Sequence, residues 1–418
     1  MTKLTRDETA LLRQLGETYM RHASLPVQRE KLRLWKAHNR KAGERPMVVL
    51  DQLPWHELEA AAPDALRLQI GDRYWRGVER GLRQQIYQWE NFPADMVLEP
   101  FIAVPAAIGK SGFGVDLDED KIVKVQNETA SSHFYKPVIK EPEDLAKIHD
   151  VHFTRDDAQS AENLQEARRV FDGIAPVCLT HGEQFHLGAW DSLATWLGVE
   201  NVYFDLLDRP EFLHAAIRRT TDAILSGIDD TERLEVCDDV AKTCHCSYAY
   251  TDDFLPDFGQ GKGAKPQNSW AYGLAQLFSS VAPDVTREFE LPYICEMAAR
   301  FGRIYYGCCE RLDDRLDLVA QIPNVQKVSC SPWNDRELFC GRLPKSLIVS
   351  FKPNPANLAG VSPNEDAARA DVLQSLAAAR ENGLSAELIL KDVSTVGGEP
   401  GRLARWADMA VRAAEGVA

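Results

Sequence analysis

The sequence predicts an α/β protein folded as a (β/α)8 barrel of the TIM type, and three observations indicate this fold. Short apolar runs typical of buried strands recur every 20 to 40 residues along much of the 418-residue chain. Helical patterns separate these runs, as in proteins whose strands form a parallel sheet. Seven to nine such runs can be distinguished, which favours a closed barrel over an open sheet.

The first 45 residues predict a helical extension that precedes the barrel. Leu11, Leu12, Leu15 and Met20 recur at helical spacing in this segment. A segment at 42–46 that contains glycine and proline then ends the helical pattern. The barrel itself is predicted to span residues 46–418.

Strands and helices alternate most regularly in the C-terminal part of the chain. The predicted strands cover residues 47–50, 96–98, 176–179, 304–308, 325–329, 347–351 and 388–390, with a further candidate at 234–237. An insertion is predicted near 105–140, because polar and apolar residues alternate at 121–125 and indicate a β excursion. Residues 231–280 contain a glycine-rich loop at 259–263, which makes a lid over the site a reasonable hypothesis for this segment without deciding it.

Composition and charge narrow the classes of partner. The chain carries 63 acidic and 48 basic residues, for a net charge of -15, which argues against a nucleic acid or an anionic membrane as the main partner. No apolar run approaches the ~18 residues that a membrane span needs, and the charged N-terminus lacks the apolar core of a signal peptide. We therefore expect a cytoplasmic protein, whose nine cysteines are free thiols or ligands rather than disulfides.

The ends of the predicted strands carry the candidate catalytic residues, because a parallel barrel places its chemistry at the carboxyl ends of its strands. The strand at 304–308 ends in Cys308, Cys309 and Glu310. Successive strand residues face opposite sides, so a bend at Gly307 favours Cys309 slightly over Cys308 as the thiol that faces the site. The predicted catalytic residues are Glu310, Asp51, Glu99, Lys391 and Asp392.

A metal site and a substrate pocket are also predicted at these strand ends. Cys308, Cys309 and Glu310, joined by His181 or Cys330 from other strands, would give a mixed set of donors that suits catalytic zinc. His245, within the Cys-His-Cys sequence at 244–246, is an alternative donor. Trp333 follows a strand and is typical of a pocket for a planar or methylated substrate. The predicted substrate-binding residues are His181, Tyr306, Trp333, Lys352, Asn354 and Gln276.

Four blocks of sequence resemble the uroporphyrinogen decarboxylase superfamily, which includes corrinoid-linked methyltransferases. They are residues 176–225, residues 282–293, residues 305–310, and the strand ends at 352–355 and 391–395. The resemblance covers about residues 30–415. It implies a methyltransferase that moves a methyl group to or from a corrinoid or thiol acceptor with the help of zinc. It also implies a partner protein that carries the corrinoid, and a homodimer.

Two departures from the family pattern keep other functions open. Tyr306 stands where methyltransferase members carry a zinc-binding histidine, and no cysteine follows Cys340, so a metal site must be assembled differently. Residues 34–40 lack the arginine-rich signature of the decarboxylase itself. The alternatives are a decarboxylase acting on a tetrapyrrole or small aromatic acid, with Lys352 or Lys391 holding the carboxylate, and a non-catalytic protein that binds a corrinoid or tetrapyrrole.

Overall fold

The computed structural model describes residues 4–122, 132–181, 185–239, 242–254 and 261–416. Parts of the predicted insertion and of the predicted glycine-rich loop lie outside these residues. The strands are β1 Met47–Leu50, β2 Ile102–Pro105, β3 Ile108–Lys110, β4 Asp118–Ile122, β5 Ser132–Lys136, β6 Phe153–Arg155, β7 Val177–Thr180, β8 Phe185–His186, β9 Thr243–Cys244, β10 Ser247–Tyr248, β11 Trp270–Gly273, β12 Arg303–Tyr306, β13 Val325–Cys330, β14 Ile348–Phe351 and β15 Ser385–Leu390.

Helices connect most of these strands. They are α1 Arg6–Ala23, α2 Pro26–Asn39, α3 Trp55–Ala61, α4 Pro63–Leu66, α5 Arg73–Asn91, α6 Asp157–Val170, α7 Ala189–Leu197, α8 Val199–Asp208, α9 Pro210–Leu234, α10 Pro283–Phe289, α11 Leu291–Ala298, α12 Leu316–Val319, α13 Arg336–Arg342, α14 Ala356–Ala359, α15 Glu365–Glu381 and α16 Gly401–Ala414, with 3₁₀ helices at Pro142–Lys147, Pro266–Asn268 and Gln276–Ser280. No helix of the described residues is long and apolar enough to cross a lipid bilayer.

A parallel sheet forms the centre of the molecule, as the alternating pattern predicts. Among the described residues it has seven strands in the order β1-β15-β14-β13-β12-β11-β8, and every neighbouring pair is parallel. The last strand of the chain pairs with the first, with Val48 opposite Leu388. A separate parallel pair joins β2 to β7. The α/β class is therefore confirmed, while closure of the strands into a complete barrel stays a prediction.

The structure differs from the predicted strands at two places. Residues 96–98 form no strand, because two of their N–H groups donate to side chains instead: Val97 N to the Tyr248 hydroxyl at 3.3 Å and Leu98 N to Gln28 Oε1 at 2.8 Å. The strand begins later, at Ile102. Residues 234–237 also form no strand, because α9 continues to Leu234. Cys237 then makes an isolated bridge with Ala264. The predicted insertion contains the antiparallel hairpin of β4 and β5.

The two N-terminal helices pack against the rest of the protein through buried apolar side chains. Helix α1 begins with a capping box, in which Thr5 and Glu8 bond to each other's backbone N–H groups. Leu12 and Tyr19 on this helix are buried against α5. From α2, Trp35 is buried against β1, and His38 reaches Glu387 on β15, with its Nε2 3.2 Å from the carboxylate.

Candidate functional site

The carboxyl ends of β12 and β15 meet at a buried pair of groups, a thiol and an amine. Lys391, directly after β15, places its Nζ 3.0 Å from the Sγ of Cys308, two residues beyond β12. Both side chains are buried. Two other strands, β13 and β14, separate β12 from β15 in the sheet, so the contact joins the ends of two strands that are not neighbours. The sequence predicts both residues as site residues, and the structure brings them together.

The turn after β12 is fixed by a glycine and a glutamate. Gly307 has φ +92°, a left-handed conformation that favours glycine, and a Cβ at this position would lie only 2.7 Å from Leu312 Cδ1. Glu310 is buried and its carboxylate accepts hydrogen bonds from the N–H of Cys308 at 2.7 Å and the N–H of Ala275 at 3.4 Å. These contacts hold Cys308 in place, so Glu310 is positioned to shape the turn.

Cys309 lies beside Cys308 and closer to solvent. The two sulfurs are 3.5 Å apart, and Cys309 Sγ also lies 3.5 Å from Asp392 Oδ2. Asp392 in turn lies 3.2 Å from Lys391 Nζ. The thiol that contacts the lysine is therefore Cys308, whereas the sequence favours Cys309 as the thiol of the site.

A column of stacked aromatic rings flanks the thiol pair. The imidazole of His245 interacts with the side chain of Cys308 and stacks on Tyr272 at 4.7 Å between ring centroids. His186 stacks on Tyr272 at 4.8 Å, and Tyr305 lies 5.2 Å from His245. Burial lowers the pKa of His245 and lowers that of His186 to about 4, so both imidazoles are neutral at neutral pH.

The surroundings of Cys308 favour a thiolate. The hydrogen bond from the Cys309 thiol lowers the pKa of Cys308 most, and His245 and Lys391 lower it further, against the opposing effect of burial. The negative charge of Cys308 correspondingly raises the pKa of Cys309. These contacts favour ionisation of Cys308 over ionisation of Cys309.

A second buried lysine lies near the thiolate without a partner of its own. Lys352, directly after β14, is 4% exposed, and its Nζ has no hydrogen-bond partner among the described residues. It lies 5.1 Å from the centroid of the Tyr305 ring. Burial lowers the pKa of Lys352 to about 8. The amine is therefore mostly protonated at pH 7, with a larger neutral fraction than an ordinary lysine has.

Two carboxyl groups with raised pKa values interact electrostatically with Cys308. Burial raises the pKa of Asp191 on α7 to about 7 and that of Glu310 to about 7, and the charge of Cys308 adds to both effects. Gln276, a predicted substrate-binding residue, hydrogen-bonds to Asp191. Tyr306 hydrogen-bonds to the buried Glu290. Asp191 and Glu290 are absent from the residues that the sequence predicts; the signal for Asp191 is an acidic residue within the apolar sequence of α7.

The other predicted site residues lie at different distances from this centre. Asp51 follows β1 and interacts with Cys246, next to His245. Glu99 is buried against Lys242, with 3.9 Å between the charged atoms. Trp333 is 69% exposed.

Two further predicted residues have contacts that account for them structurally. Asn354 accepts a hydrogen bond from Ala356 N at 3.0 Å and so begins a short turn of helix. Cys330 is buried in the main apolar core, where burial holds the pKa of its thiol well above the usual range.

The predicted zinc donors do not converge on one point. No three ligand atoms from Cys308, Cys309, Glu310, His181 and Cys330 lie within 4.8 Å of one another; among the described residues that criterion is met by His181, Asp238 and Asp239. Glu310 is turned towards the backbone of its own loop. The ammonium of Lys391 lies where a cation would neutralise the Cys308 thiolate. This arrangement of side chains does not fit a zinc ion held by the five predicted donors.

A cavity of about 930 Å³ is lined in part by Tyr272. Phe153, Phe185 and Trp270 supply aromatic surface, and Lys110 and Lys242 supply positive charge. Tyr272 therefore contacts both this cavity and His245, the imidazole beside Cys308. Aromatic walls with a few charged groups are typical of small-molecule sites.

Comparisons with known proteins leave the family of this chain open. No family model matches the sequence, and no curated protein matches it. Solved structures do match, among them a methyltransferase from Methanosarcina mazei that is 10% identical, with a TM-score of 0.48 over 89% of this chain and 96% of the other. A likeness at this level does not establish an activity, so the proposals below rest on the geometry of the site. Membership of the uroporphyrinogen decarboxylase superfamily stays a prediction.

Proposed function

We propose that the protein is a methyltransferase in which the thiolate of Cys308 takes the methyl group from its donor. The observation that carries this proposal is the 3.0 Å contact between Lys391 Nζ and Cys308 Sγ in a buried site, with His245 as the second neighbour of the sulfur. A thiolate is the nucleophilic form of cysteine. An ammonium and an imidazole beside it keep it ionised at neutral pH.

The first step is attack of the thiolate on the methyl carbon of a donor. The sulfur–carbon bond forms as the bond between the methyl group and its leaving atom breaks, so Cys308 becomes an S-methyl thioether and the leaving group departs with the electron pair. A leaving group whose conjugate acid is weak must be protonated as it departs. Asp191, whose pKa burial raises to about 7, is a general acid suited to neutral pH.

The second step returns Cys308 to a thiolate. A stronger nucleophile attacks the methyl carbon of the thioether, the new bond forms, and the cysteine sulfur leaves with its electron pair. A thiol of low pKa is a better leaving group than an ordinary thiol, and Lys391 stabilises the charge that returns to the sulfur. The low pKa of Cys308 therefore assists the step that releases the methyl group.

The acceptor of the methyl group stays a prediction. The resemblance implies a corrinoid carried by a partner protein, or a thiol. A corrinoid would supply a strong nucleophile, namely its own metal ion. The residues of this chain that would serve it are Cys308 as leaving group, with Lys391 and His245 holding its charge. Homodimer formation likewise stays a prediction.

Mass spectrometry of the protein after a single turnover tests the proposal. Purified protein is incubated without an acceptor and with a panel of donors that carry isotopically labelled methyl groups on nitrogen, oxygen or sulfur. We expect one donor class to leave one labelled methyl group on the peptide that contains Cys308. Cys308→Ser should take up no label and lose about 10³-fold or more of any transfer rate, as removal of a nucleophile does.

Cys309→Ser is the matched control, because it removes the neighbouring thiol and keeps the contact between Lys391 and Cys308. It should still take up the methyl group on Cys308. Labelling that persists in Cys308→Ser, or transfer from the same donors at an unchanged rate in that variant, would contradict the proposal.

Decarboxylation is the second candidate, and the unpartnered amine of Lys352 favours it. A buried lysine without a counterion would gain from binding a carboxylate, and Lys391 is already engaged by Cys308 and Asp392. The discriminating test is release of labelled carbon dioxide from small aromatic acids. Release that disappears in Lys352→Met and persists in Cys308→Ser would favour the decarboxylase over the methyltransferase.

A further inference from the structure

We propose that His181, Asp238 and Asp239 bind a divalent transition-metal ion at the wall of the 930 Å³ cavity. One atom of each side chain lies within 4.8 Å of the atoms of the other two. These residues come from two segments of the chain, the end of β7 and the loop after α9. This site is separate from the thiolate of Cys308, and the proposal does not depend on the reaction at that residue.

Unsatisfied buried atoms point to a ligand at this cluster. His181 and Asp239 are each 3% exposed. His181 Nδ1 and Asp239 Oδ1 have no hydrogen-bond partner among the described residues. Buried polar atoms without partners carry a desolvation cost, and native proteins rarely keep them without a reason. A metal ion that accepts both lone pairs accounts for both atoms at once.

One carboxylate oxygen of each aspartate accepts a hydrogen bond from a backbone group. Asp239 Oδ2 accepts the N–H of Lys262 at 3.2 Å, and Asp238 Oδ1 accepts the N–H of His181 at 3.4 Å. Each aspartate is thereby oriented through one oxygen. Orientation of ligand side chains by such hydrogen bonds is usual around metal sites.

The loop that contains Lys262 can approach the cluster because it contains glycine. Gly263 has φ +82°, and a Cβ on it would lie 2.1 Å from the carbonyl oxygen of Glu235 and 3.1 Å from His181 Cδ2. Any side chain at this position would push the loop away from the imidazole. The close packing of Gly263 on His181 therefore fixes the ring that we assign as a ligand.

The type of metal follows from the donors. One imidazole nitrogen and two carboxylate oxygens suit zinc, iron(II), manganese(II) or cobalt(II) better than magnesium or calcium, which prefer oxygen ligands alone. Three protein ligands leave coordination positions open.

The chemical class of ligand follows from the cavity. Lys110 and Lys242 are positive, and Phe153 and Trp270 give aromatic walls. An anionic molecule with an aromatic or other apolar body, its acid group directed to the metal and the lysines, matches this lining.

Binding of cobalt(II) to the purified full-length chain tests the proposal. Protein treated with a chelator is titrated with cobalt(II), and the bound metal and its visible spectrum are measured. We expect one ion per chain, without the intense absorption that cobalt–thiolate bonds produce. Asp239→Asn and His181→Ala should each weaken binding by at least about tenfold to a hundredfold, since even residues that only orient a ligand have effects of this size.

Two controls separate a lost ligand from a damaged fold. His152→Ala removes an exposed imidazole that contacts Asp230 at 3.1 Å and should leave binding unchanged, as should Cys308→Ser. Thermal unfolding of metal-free Asp239→Asn should match that of metal-free wild type. Binding that Asp239→Asn and His181→Ala leave unchanged would overturn the proposal. So would a wild-type chain that binds no cobalt, or a thiolate absorption band that disappears in Cys308→Ser.

Discussion

The buried lysine within the central sheet, Lys327, and the buried lysines just beyond its strand ends, Lys352 and Lys391, have different surroundings. The difference distinguishes a group that stabilises the fold from groups that are candidates for catalysis. Lys327 on β13 donates to Ser247 Oγ at 2.6 Å, to the carbonyl oxygen of Tyr248 at 3.1 Å and to Glu387 at 2.9 Å. Glu387 also contacts His38 and Ser350. Every charge in this group is buried and paired.

Beyond the ends of the strands, the charges are buried without being fully paired. Lys391 has the Cys308 thiolate and Asp392 as neighbours, and Lys352 has no hydrogen-bond partner among the described residues. Burial of unpaired charge costs stability, and such groups are candidates for function because their pKa values are shifted. The pair of Lys327 and Glu387 stabilises the packing of the strands, whereas the groups at the strand ends are candidates for catalysis. Each prediction below tests one side of this contrast.

The largest effect is expected in the paired group. Glu387→Ala leaves Lys327 buried without its carboxylate, and the free energy of unfolding should fall by about 3 to 5 kcal/mol, as when one partner of a buried ion pair is removed. Chemical denaturation measures this change. The exposed Glu59 is the control, since Glu59→Ala should alter stability by no more than about 0.5 kcal/mol.

The pH dependence of stability gives an independent reading of the same group. Burial opposes ionisation of Glu387, but Lys327 and His38 outweigh it and hold the pKa of this carboxyl well below its ordinary value. Its contribution is therefore present above the ordinary carboxyl pKa and is lost as the pH falls below it. An equal loss of stability with acid in wild type and Glu387→Ala would show that the pair is not structural.

The unpaired lysine should show the opposite sign. Lys352→Met removes a buried amine without a partner, so the free energy of unfolding should rise at pH 7. The upper limit is about 3 kcal/mol, from a pKa lowered from 10.5 to about 8 at 1.36 kcal/mol per unit. Because the folded-state pKa is lowered, this gain should disappear as the pH rises from about 8 to above 10.5. The exposed Lys345 provides the control substitution to methionine, and a destabilised Lys352→Met would place Lys352 with the structural groups.

Asp191, which we propose as the general acid that protonates the leaving group, should control how the transfer rate falls at high pH (the upper limb of the pH profile). Asp191 has a pKa raised to about 7, so transfer that needs its proton should fall as the pH rises above that value. Asp191→Asn should lower the rate below pH 7 by about 100-fold, within the range of general acid catalysis, and remove the limb. Glu288→Gln, at an exposed carboxylate, should leave the profile unchanged. A limb that survives in Asp191→Asn would assign the acid to another group, such as Glu310.

The smallest effect is expected on the thiolate itself. Lys391→Met removes one of several groups that lower the pKa of Cys308, and we expect that pKa to rise by about 1 to 2 units, as for loss of an adjacent charge. Ultraviolet absorption of the thiolate measures the shift. The control Lys345→Met should not shift the pKa of Cys308. An unshifted pKa in Lys391→Met would show that Lys391 does not stabilise the thiolate.

The fold could be predicted where buried parallel strands read as continuous apolar runs. Strands β1, β13, β14 and β15 lie within two or three residues of their predicted positions. Strand β11 has only four residues, ends in glycine and is preceded by polar residues, so no continuous apolar run in the sequence predicts it. At residues 96–98 an apolar run exists, but the N–H groups of Leu98 and Val97 bond to the side chains of Gln28 and Tyr248, 70 residues earlier and 151 residues later. Local sequence does not contain that information.

The site could be predicted only in part, for the same reason. Position after a strand identifies Cys308, Lys391 and Lys352, because strand ends are visible in the sequence. Their pairing depends on contacts across 83 residues, which spacing does not reveal. His245 reaches Cys308 from a turn in which His245 and Cys246 both have positive φ. The sequence thus predicts which residue types lie near the site, while the tertiary fold decides which thiol meets which amine.

The ionisation of Cys308 is the direct test of the central claim. Thiolate absorption is recorded as a function of pH for Cys309→Ser and for the double variant that also carries Cys308→Ser, so the difference between the two curves reports Cys308 alone. We predict that the difference is already present well below the ordinary thiol pKa of about 8.5 and disappears only in acid. A difference that develops only near that ordinary value would show that Cys308 is a neutral thiol at neutral pH and would contradict the account.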